Sequence, residues 1–326
     1  MTPEAARQAR TQLLAAFAAI YLIWGSTYLA IAFAIHTLPP FLMAAGRFLL
    51  AGGALYLWAR LRGAPAPRSS QWLWAFLLGG LFFLFGNGAV VWVELRMSSG
   101  LTALIVAMVS VWTALLEWLR PGGSRPAGMV LVGIALGFLG VALLVLPGGS
   151  GAGHADPAGV LLLMCSTFAW ALASVLSRTA DLPDNAPLTS GMEMLAGGVL
   201  LLLASGVAGD WGRFVPSAVT TKSIVAFLYL VIFGSLVAFT CFAWLLKVTS
   251  PNKVATAGYV NPMVAVFLGW LFGGESLSTR SFLASLVIVA AVVLIITGRG
   301  FALRLPRRAP PASEAEGLTR RDKVVT

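Results

Sequence analysis

The sequence predicts an all-α integral membrane protein, and two observations support this fold class. The chain has 326 residues, of which 59% are hydrophobic and only 10% are charged. Soluble domains carry roughly 25% charged residues, so this composition leaves too few polar side chains to cover a surface exposed to water. Apolar runs of about 20 residues, the length of a membrane-spanning helix, also recur along the chain between short segments rich in Pro, Gly and Arg.

Ten of these runs are long enough to cross a bilayer. In the first half they cover residues 13–35, 40–60, 72–93, 98–119 and 126–146. In the second half they cover residues 158–177, 187–208, 222–246, 253–273 and 280–298. The first run is longer than the core of a signal peptide, which has about 7 to 15 apolar residues, and its centre is polar. We therefore interpret it as a membrane helix.

Positive charges predict the orientation of the chain. If the N-terminus is cytoplasmic, 17 of the 22 Lys and Arg residues fall in cytoplasmic segments, 4 fall on the opposite side and Arg47 lies inside a span. Because cytoplasmic loops retain Lys and Arg, both termini are predicted to be cytoplasmic, as a segment at 1–12 and a basic tail at 299–326. Binding of anionic lipid is an alternative role for that tail. These charges do not form a face on a soluble domain, so we expect no nucleic-acid partner.

The two halves of the chain resemble each other in sequence. Residues 47–52 (RFLLAG) align with residues 193–198 (EMLAGG) at an offset of 146, and Trp92 aligns with Trp244 at an offset of 152. A repeat of five spans places its second copy upside down in the membrane, as in secondary transporters. Two such halves rock about a central site, so alternating access is the expected mechanism.

The predicted fold class is therefore ten transmembrane helices arranged as two inverted five-helix repeats. The first repeat covers residues 13–147 and the second covers residues 158–298. An outer linker at residues 148–157 joins them.

Several motifs resemble the EamA-domain proteins, which are ten-helix exporters of the drug/metabolite transporter superfamily. The motifs are Trp24-Gly25-Ser26-Thr27-Tyr28, Arg47-Phe48, and Tyr259-Val260-Asn261-Pro262 running to Gly274-Glu275-Ser276-Leu277. The resemblance covers roughly residues 13–298. It implies a multi-pass protein of the cell inner membrane that exports small metabolites, such as amino acids or amphiphilic compounds, without a cofactor and without enzymatic activity.

The first half departs from the family pattern in its fourth span. Ser110 stands where a proline is common, and Gly123 occupies the place that corresponds to Glu275. A proline interrupts a helix because it lacks an N–H donor. We therefore expect the fourth helix to be straighter than its counterpart in the second half.

Ionisable residues inside the spans are the first candidates for a transport site. A charged side chain at a helix centre costs about 2.5 to 3.5 kcal/mol on insertion scales, so it needs a partner or a wet cavity. Arg47, Glu117 and Glu193 lie within spans. We hypothesise that Arg47 attracts an anionic group of the substrate and that Glu193 binds an amino group or a coupling proton. The alternative is that both side chains stabilise the bundle. Glu117 is close to its helix end and is predicted to be interfacial.

Aromatic and polar residues within the spans form the second set of pathway candidates. The tryptophans away from helix ends are Trp24, Trp92, Trp112, Trp170 and Trp244. Such rings can line a cavity or contact an ammonium group, although packing is the alternative. The polar candidates are Ser26, Thr27, Tyr28, Asn87 and Ser110. Tyr259, Asn261 and Pro262 predict either an interrupted helix beside the substrate or a simple kink.

Other function classes find less support in the sequence. Cys165 and Cys241 lie in apolar runs, and no HExxH, zinc-type spacing or phosphate loop occurs, so no metal, cofactor or ATP-driven pumping is expected. A membrane-embedded lipid-modifying enzyme, which needs a constellation of acids, histidines or a nucleophile, is the alternative from another class. An importer or exchanger of the same superfamily also stays open.

The expected partners are the lipid bilayer and a small-molecule substrate. Two pairs of glycines, Gly133 with Gly137 and Gly269 with Gly273, have the spacing that lets membrane helices pack closely. We interpret them as packing positions within one chain. Dimerisation through them is the alternative, so the chain is predicted to be a monomer or a homodimer.

Overall fold

The computed structural model describes residues 3–121, 123, 125–145, 156–249, 254, 256–276 and 278–302. Within these residues every regular element is helical. Helix α1 covers Pro3–Ala34 and α2 covers Pro40–Leu61. Helix α3 has three consecutive parts, which are Ser69–Gly79, the π-helical Gly80–Asn87, and Gly88–Val93. Helix α4 has two parts, Ser99–Val106 and Val109–Leu119. Helix α5 covers Gly128–Val145, α6 covers Pro157–Leu176 and α7 covers Ala186–Val207. Helix α8 has three consecutive parts, which are Thr221–Tyr229, the π-helical Leu230–Val237, and Ala238–Val248. Helix α9 covers Ala257–Phe272 and α10 covers Thr279–Ala302.

These helices lie where the apolar runs predict them, and the all-helical membrane fold is confirmed. Among the described residues, eight helices are long and apolar enough to cross a membrane. The shorter apolar helices are Gly128–Leu143 and Val260–Phe272, within α5 and α9. The predicted linker and basic tail lie mostly outside the described residues. Helix α1 begins earlier than predicted, because Pro3 suits the first turn of a helix.

Helices α2 and α7 pack backbone against backbone. A Cβ atom at Gly52 would lie 2.8 Å from the amide nitrogen of Leu195, and one at Gly191 would lie 2.7 Å from the amide nitrogen of Tyr56. Membrane helices associate through van der Waals contact rather than through the hydrophobic effect, so small residues at the contact are needed. The counterpart helices of the two predicted halves therefore form a close central pair.

Helices α5 and α10 form a second close pair. A Cβ atom at Gly133 would lie 2.8 Å from the carbonyl oxygen of Ala291 in α10. A Cβ atom at Gly137 would lie 2.8 Å from Cγ2 of Val111, so this glycine serves the contact of α5 with α4. Gly269 instead leaves space for the carboxylate of Glu275. All these glycines therefore serve contacts within the chain.

Helix α4 contradicts the expectation of a straighter first half. It is interrupted at Ala107 and Met108, between Val106 and Val109, although no proline is present. The Met108 amide donates to the Ile105 carbonyl at 2.9 Å, a tighter turn than an α-helix makes. Helix α9 continues without interruption past Pro262. The prediction of a straighter α4 was wrong because it rested on the missing proline, whereas the tighter turn at Ala107 and Met108 forms without one.

Two carboxylates of the second half cap helices of the first half. Asp210, in the short helix Asp210–Arg213 after α7, accepts hydrogen bonds from the amides of Phe41 and Leu42 at 2.9 and 3.1 Å. Glu275, after α9, accepts hydrogen bonds from the amides of Ser99 and Gly100 at 2.7 and 3.1 Å. A carboxylate is stabilised at a helix N-terminus by the free N–H groups and the helix dipole. These contacts connect the halves at the ends of α2 and α4.

Candidate functional site

The most distinctive feature of the fold is a pair of π-helical segments inside α3 and α8. They cover Gly80–Asn87 and Leu230–Val237, so they begin 150 residues apart and have the same length. A π-helical turn leaves backbone carbonyls without their usual helical partners and is frequent at functional sites. Within a bilayer those carbonyls need donors from elsewhere in the protein. In both segments a side chain from another helix supplies one.

Three of the predicted pathway residues meet at the π-helical segment of α8. The Trp24 indole donates to the carbonyl of Gly234 at 3.2 Å. The Arg47 Nε donates to the Ser235 hydroxyl at 3.0 Å. Thr27 is buried, and its methyl group lies 3.0 Å from where a Cβ atom at Gly234 would be. Helices α1, α2 and α8 therefore share one polar site.

The guanidinium of Arg47 is buried beside an aromatic ring in this site. The side chain is only 5% exposed, and its Cζ atom lies 4.8 Å from the ring centroid of Phe48. The Phe48 ring in turn lies 4.5 Å from that of Phe83 in the other π-helical segment. No carboxylate of the described residues lies within 4 Å of this guanidinium. Its charge is therefore available to an anionic group that enters the site.

The π-helical segment of α3 is packed with less polar groups. The Ser166 hydroxyl of α6 donates to the Gly86 carbonyl at 2.9 Å. A Cβ atom at Gly86 would lie 2.8 Å from Cε3 of Trp170, whose ring packs edge-on against Phe82 at 5.0 Å. The side-chain amide of Asn87 donates back to the Phe82 carbonyl at 3.3 Å. Trp170 and Asn87 thus lie at this segment, as helix-packing and backbone-capping groups.

Glu193 lies on α7, which packs closely against α2. Its side chain is half-buried and forms no hydrogen bond or ion pair with another described residue. Arg47 and Glu193 are counterparts in the predicted repeat, but they do not form an ion pair. Glu193 is therefore a carboxylate without a fixed protein partner among the described residues, whereas Arg47 is held by Ser235.

Sequence reasoning missed one buried acid near this site. Glu94 follows Val93, at the end of α3, and is only 8% exposed. Neither of its carboxylate oxygens has a hydrogen-bond partner in the described structure. Burial raises the pKa of Glu94 well above its usual range, the nearby Glu275 adds to the rise and Arg47 opposes it. The residue was overlooked because it lies one position beyond the predicted span, where an acid is ordinarily exposed to water.

An apolar groove opens beside the site, between α1, α8 and α9. Its volume is about 670 Å³. On its wall the hydroxyls of Ser26 and Tyr229 share a hydrogen bond of 2.6 Å. At one end the Lys222 ammonium lies 3.4 Å from the ring centroid of Phe33. The groove therefore combines an apolar body with one positive charge.

The other predicted tryptophans lie outside the polar site. Trp112 donates to Thr167 at 3.1 Å and packs edge-on against Phe138 and Phe168, each at 5.4 Å. This arrangement joins α4, α5 and α6 by aromatic packing.

Trp92 and Trp244 are also apart from the π-helical segments. The guanidinium of Arg96 covers the ring of Trp92 at 4.1 Å. Trp244 packs in a separate apolar cluster around Ile20 and Leu245. Their geometry supports the packing alternative.

Helix α9 approaches the site through its Asn261–Pro262 region. A Cβ atom at Gly25 would lie 3.1 Å from the backbone oxygen of Asn261, so α1 and α9 are in close contact there. The side-chain oxygen of Asn261 is buried without a hydrogen-bond partner in the described structure, and Pro262 is buried inside the helix. The side chain of Tyr259 lies outside the described part of the chain. Ser110 contacts this helix at Gly258, where a Cβ atom would lie 3.0 Å from its hydroxyl.

The structure also shows where Glu117 and Tyr28 lie. Glu117 forms ion pairs with Arg178 and, at 3.4 Å, with Arg120, in keeping with an interfacial position at the end of α4. The ring of Tyr28 is half-buried and packs against the main apolar core. The described residues contain no group of three or more His, Cys, Asp or Glu side chains that could hold a metal ion.

The sequence of this chain is similar to those of known membrane transporters. The sequence profile of the EamA-like transporter family matches the chain twice, over residues 11–146 and 157–297. An Escherichia coli K12 protein named "Uncharacterized inner membrane transporter YedA" is 38% identical over 304 residues, which cover 93% of this chain and 96% of that protein. Another Escherichia coli K12 protein, named "Probable amino-acid metabolite efflux pump", is 24% identical over 86% of this chain and 93% of its own length.

A solved crystal structure supports the shared fold. It has a TM-score of 0.60 and 22% sequence identity, and the match covers 90% of this chain and 99% of that one.

Proposed function

This chain belongs to the EamA-like transporter family, and we propose that it is a secondary active transporter that exports small metabolites across the inner membrane by alternating access. The family membership and the inner-membrane relative make it a multi-pass membrane transporter. Amino acids or amphiphilic compounds are the proposed substrates. The name of one relative, a probable amino-acid metabolite efflux pump, agrees with this direction and substrate class.

We propose that ten helices, α1 to α10, cross the membrane as two inverted five-helix halves with both termini in the cytoplasm. Two observations support this architecture beyond the charge distribution. The family profile matches each half separately. The two π-helical segments occur in the third helix of each half, in corresponding positions. Inverted halves of this kind carry the substrate site near the midplane, where they meet.

The observation that carries the proposal is the enclosure of Arg47 between the halves. Its guanidinium is buried, is held by Ser235 of the second half and has no carboxylate within ion-pair distance among the described residues. A buried cation without such a partner favours the binding of an anion. We infer that Arg47 binds the carboxylate or another anionic group of the substrate.

Glu193 is the proposed coupling residue of the second half. Its half-buried carboxylate has no fixed partner among the described residues, so a proton or an amino group can bind it. The α1–α8–α9 groove supports amphiphilic substrates, because an apolar body fits its walls while Lys222 attracts an anionic end.

An importer or exchanger with the same architecture is the alternative function. The direction of transport depends on the gradients and on the relative affinities of the two open states, and neither is a property of one conformation. A lipid-modifying enzyme has less support, because the described residues lack a cluster of acids and histidines around a nucleophile.

The proposal is tested by measuring flux of a labelled metabolite panel through purified protein in liposomes, with and without a pH gradient. For any transported anion or zwitterion, Arg47→Gln is expected to raise the apparent substrate constant by about tenfold or more, since a charge-assisted hydrogen bond contributes about 1.5 to 3 kcal/mol. Arg47→Lys keeps the charge and is expected to lose less.

The matched control is Arg96→Gln, which removes an exposed arginine that covers a tryptophan ring. It is expected to leave the substrate constant unchanged. Equal effects of both substitutions would contradict the assignment of Arg47. Absence of flux for every solute, together with turnover of a lipid, would support the enzyme instead.

A further inference from the structure

Glu94 has a buried carboxylate that lacks a hydrogen-bond partner in the described structure. Its backbone amide completes the last turn of α3 by donating to the Val90 carbonyl at 3.0 Å. Its side chain is buried, and neither carboxylate oxygen accepts a hydrogen bond. A buried ionised carboxylate without a partner is strongly destabilising, and most buried polar groups in proteins have a hydrogen-bond partner. Such a group is stabilised when it binds a cation.

The groups that face Glu94 come from every element packed around this end of α3. Arg47 on α2, Tyr28 on α1 and Glu275 after α9 interact with it electrostatically. Helix α6 packs here too, and its N-terminal Asp156 is engaged as a cap by the amide of the glycine at 159, at 3.2 Å. Arg96, on the same connection, lies over a tryptophan ring. None of these cations forms an ion pair with Glu94 within 4 Å.

The two neighbouring acids Glu94 and Glu275 have opposite environments. Glu275 accepts two hydrogen bonds from the N-terminus of α4, so each of its carboxylate oxygens has a donor. Glu94 has no donor and is buried, which favours the protonated form. Burial without a donor therefore makes Glu94 the acid of this pair that a proton or another cation stabilises.

We propose that Glu94 is a cation-binding residue at the outer end of the transport pathway, where a proton and the ammonium group of a substrate replace one another. This inference rests on the proposed function and extends it to substrates that carry an ammonium group. Arg47, on the same site, binds the anionic end of such a substrate. Because the carboxylate holds either cation but not both, each substrate released to the outside is replaced by one proton. Export is thereby exchanged for proton entry.

The direction of the pH effect follows from this competition. At low outer pH the Glu94 carboxyl is protonated and neutral, so it releases the ammonium group. As the outer pH rises, Glu94 loses its proton and binds ammonium compounds more tightly. Since the ratio of the two forms changes about tenfold per pH unit, inhibition by an ammonium compound from the outside must strengthen with pH.

The first test detects the proton itself, independently of transport. Infrared difference spectra of the protein in lipid are recorded while the pH is raised, and the band of a protonated carboxyl is followed. The wild type is expected to lose such a band at a pH above the usual range of a glutamate, because burial raises the pKa of Glu94. Glu94→Gln is expected to lack this change. Glu117→Gln makes the same substitution at an ion-paired acid, and it is expected to lose the carboxyl band as the wild type does. A carboxyl band that titrates unchanged in Glu94→Gln would overturn the proposal.

The second test uses flux of whichever metabolite is transported, with the inner pH held constant. Butylammonium added outside is expected to inhibit the wild type more strongly as the outer pH rises, by up to about tenfold per unit while Glu94 is mainly protonated. Butyrate serves as the control without an ammonium group. Glu94→Gln is expected to be insensitive to outer pH and to butylammonium, and Glu94→Asp to keep both responses. Unchanged inhibition in Glu94→Gln would overturn the proposal. If Glu94→Gln does not fold, a folded Glu94→Asp that lacks both responses would overturn it instead.

The two tests separate this inference from the proposed function. If no solute is transported but the carboxyl band depends on Glu94, the transport proposal fails and the proton site stands. If solutes are transported and their flux ignores both Glu94 and outer pH, the transport proposal stands and the proton site fails.

Discussion

The two π-helical segments have matching backbones but different surroundings. The segment in α8 receives donors from Trp24 and holds Arg47 through Ser235. The segment in α3 receives one donor from Ser166 and is otherwise covered by the ring of Trp170. The shared backbone irregularity places polar carbonyls in both segments, and among the described residues a buried guanidinium lies at only one of them, the segment in α8.

The largest expected effect comes from adding a methyl group to the polar segment. A Cβ atom at Gly234 would lie 3.1 Å from Nη2 of Arg47 and 3.0 Å from the Thr27 methyl group, so Gly234→Ala must displace one of them. Overpacking of this kind costs about 1 to 3 kcal/mol. We expect flux to fall about tenfold or more in proteoliposomes, because the displaced guanidinium no longer faces the substrate.

The same change in the other segment is the comparison for this variant. Gly86→Ala meets the Trp170 ring at 2.8 Å, so we expect a lower thermal unfolding temperature but nearly normal flux per folded molecule. Gly128→Ala, where nothing lies within 4 Å of the new methyl group, controls for the substitution itself. Equal loss of flux in both segments would show that they are functionally equivalent.

A smaller effect is expected from the two serines that serve the segments. Ser235→Ala removes the hydroxyl that accepts from Arg47 and leaves a buried donor unpaired, at a cost of about 1 to 3 kcal/mol. We expect the apparent substrate constant to rise about fivefold. Ser166→Ala removes the donor to the Gly86 carbonyl, so it is expected to lower stability without changing that constant. The substrate dependence of flux and thermal unfolding distinguish the two, and a normal substrate constant in Ser235→Ala would contradict the role given to Arg47.

The smallest change in maximal flux is expected from Glu193, the counterpart of Arg47. Glu193→Gln keeps the shape of the side chain and removes its charge. We expect exchange without a pH gradient to continue within about twofold of the wild type, because the α2–α7 contact does not use this carboxylate. The response to inner pH is expected to disappear. Persistence of that response would remove Glu193 as a coupling residue and leave Glu94 as the acid to examine.

The sequence predicted the helices and one side of the site, for identifiable reasons. Hydropathy located the runs because lipid tolerates little else, and Arg47 was found because an arginine inside an apolar run is rare. Glu94 was missed because its burial depends on other helices, α2 and α6, that pack around the end of α3. Ser235 and Ser166 were missed because serine is common in membrane helices and often bonds only its own backbone.

The class of protein follows from properties that each stretch of the chain carries locally. Apolar runs, positive loops and a repeated pattern specify membrane helices and imply a transporter, since they reflect the interaction of each helix with lipid. The polar site depends instead on contacts between residues far apart in sequence, such as Arg47 with Ser235 and Trp24 with Gly234. A π-helical turn changes backbone register without changing hydropathy, so its position, and the choice of donors that satisfy it, arise only when the helices pack together.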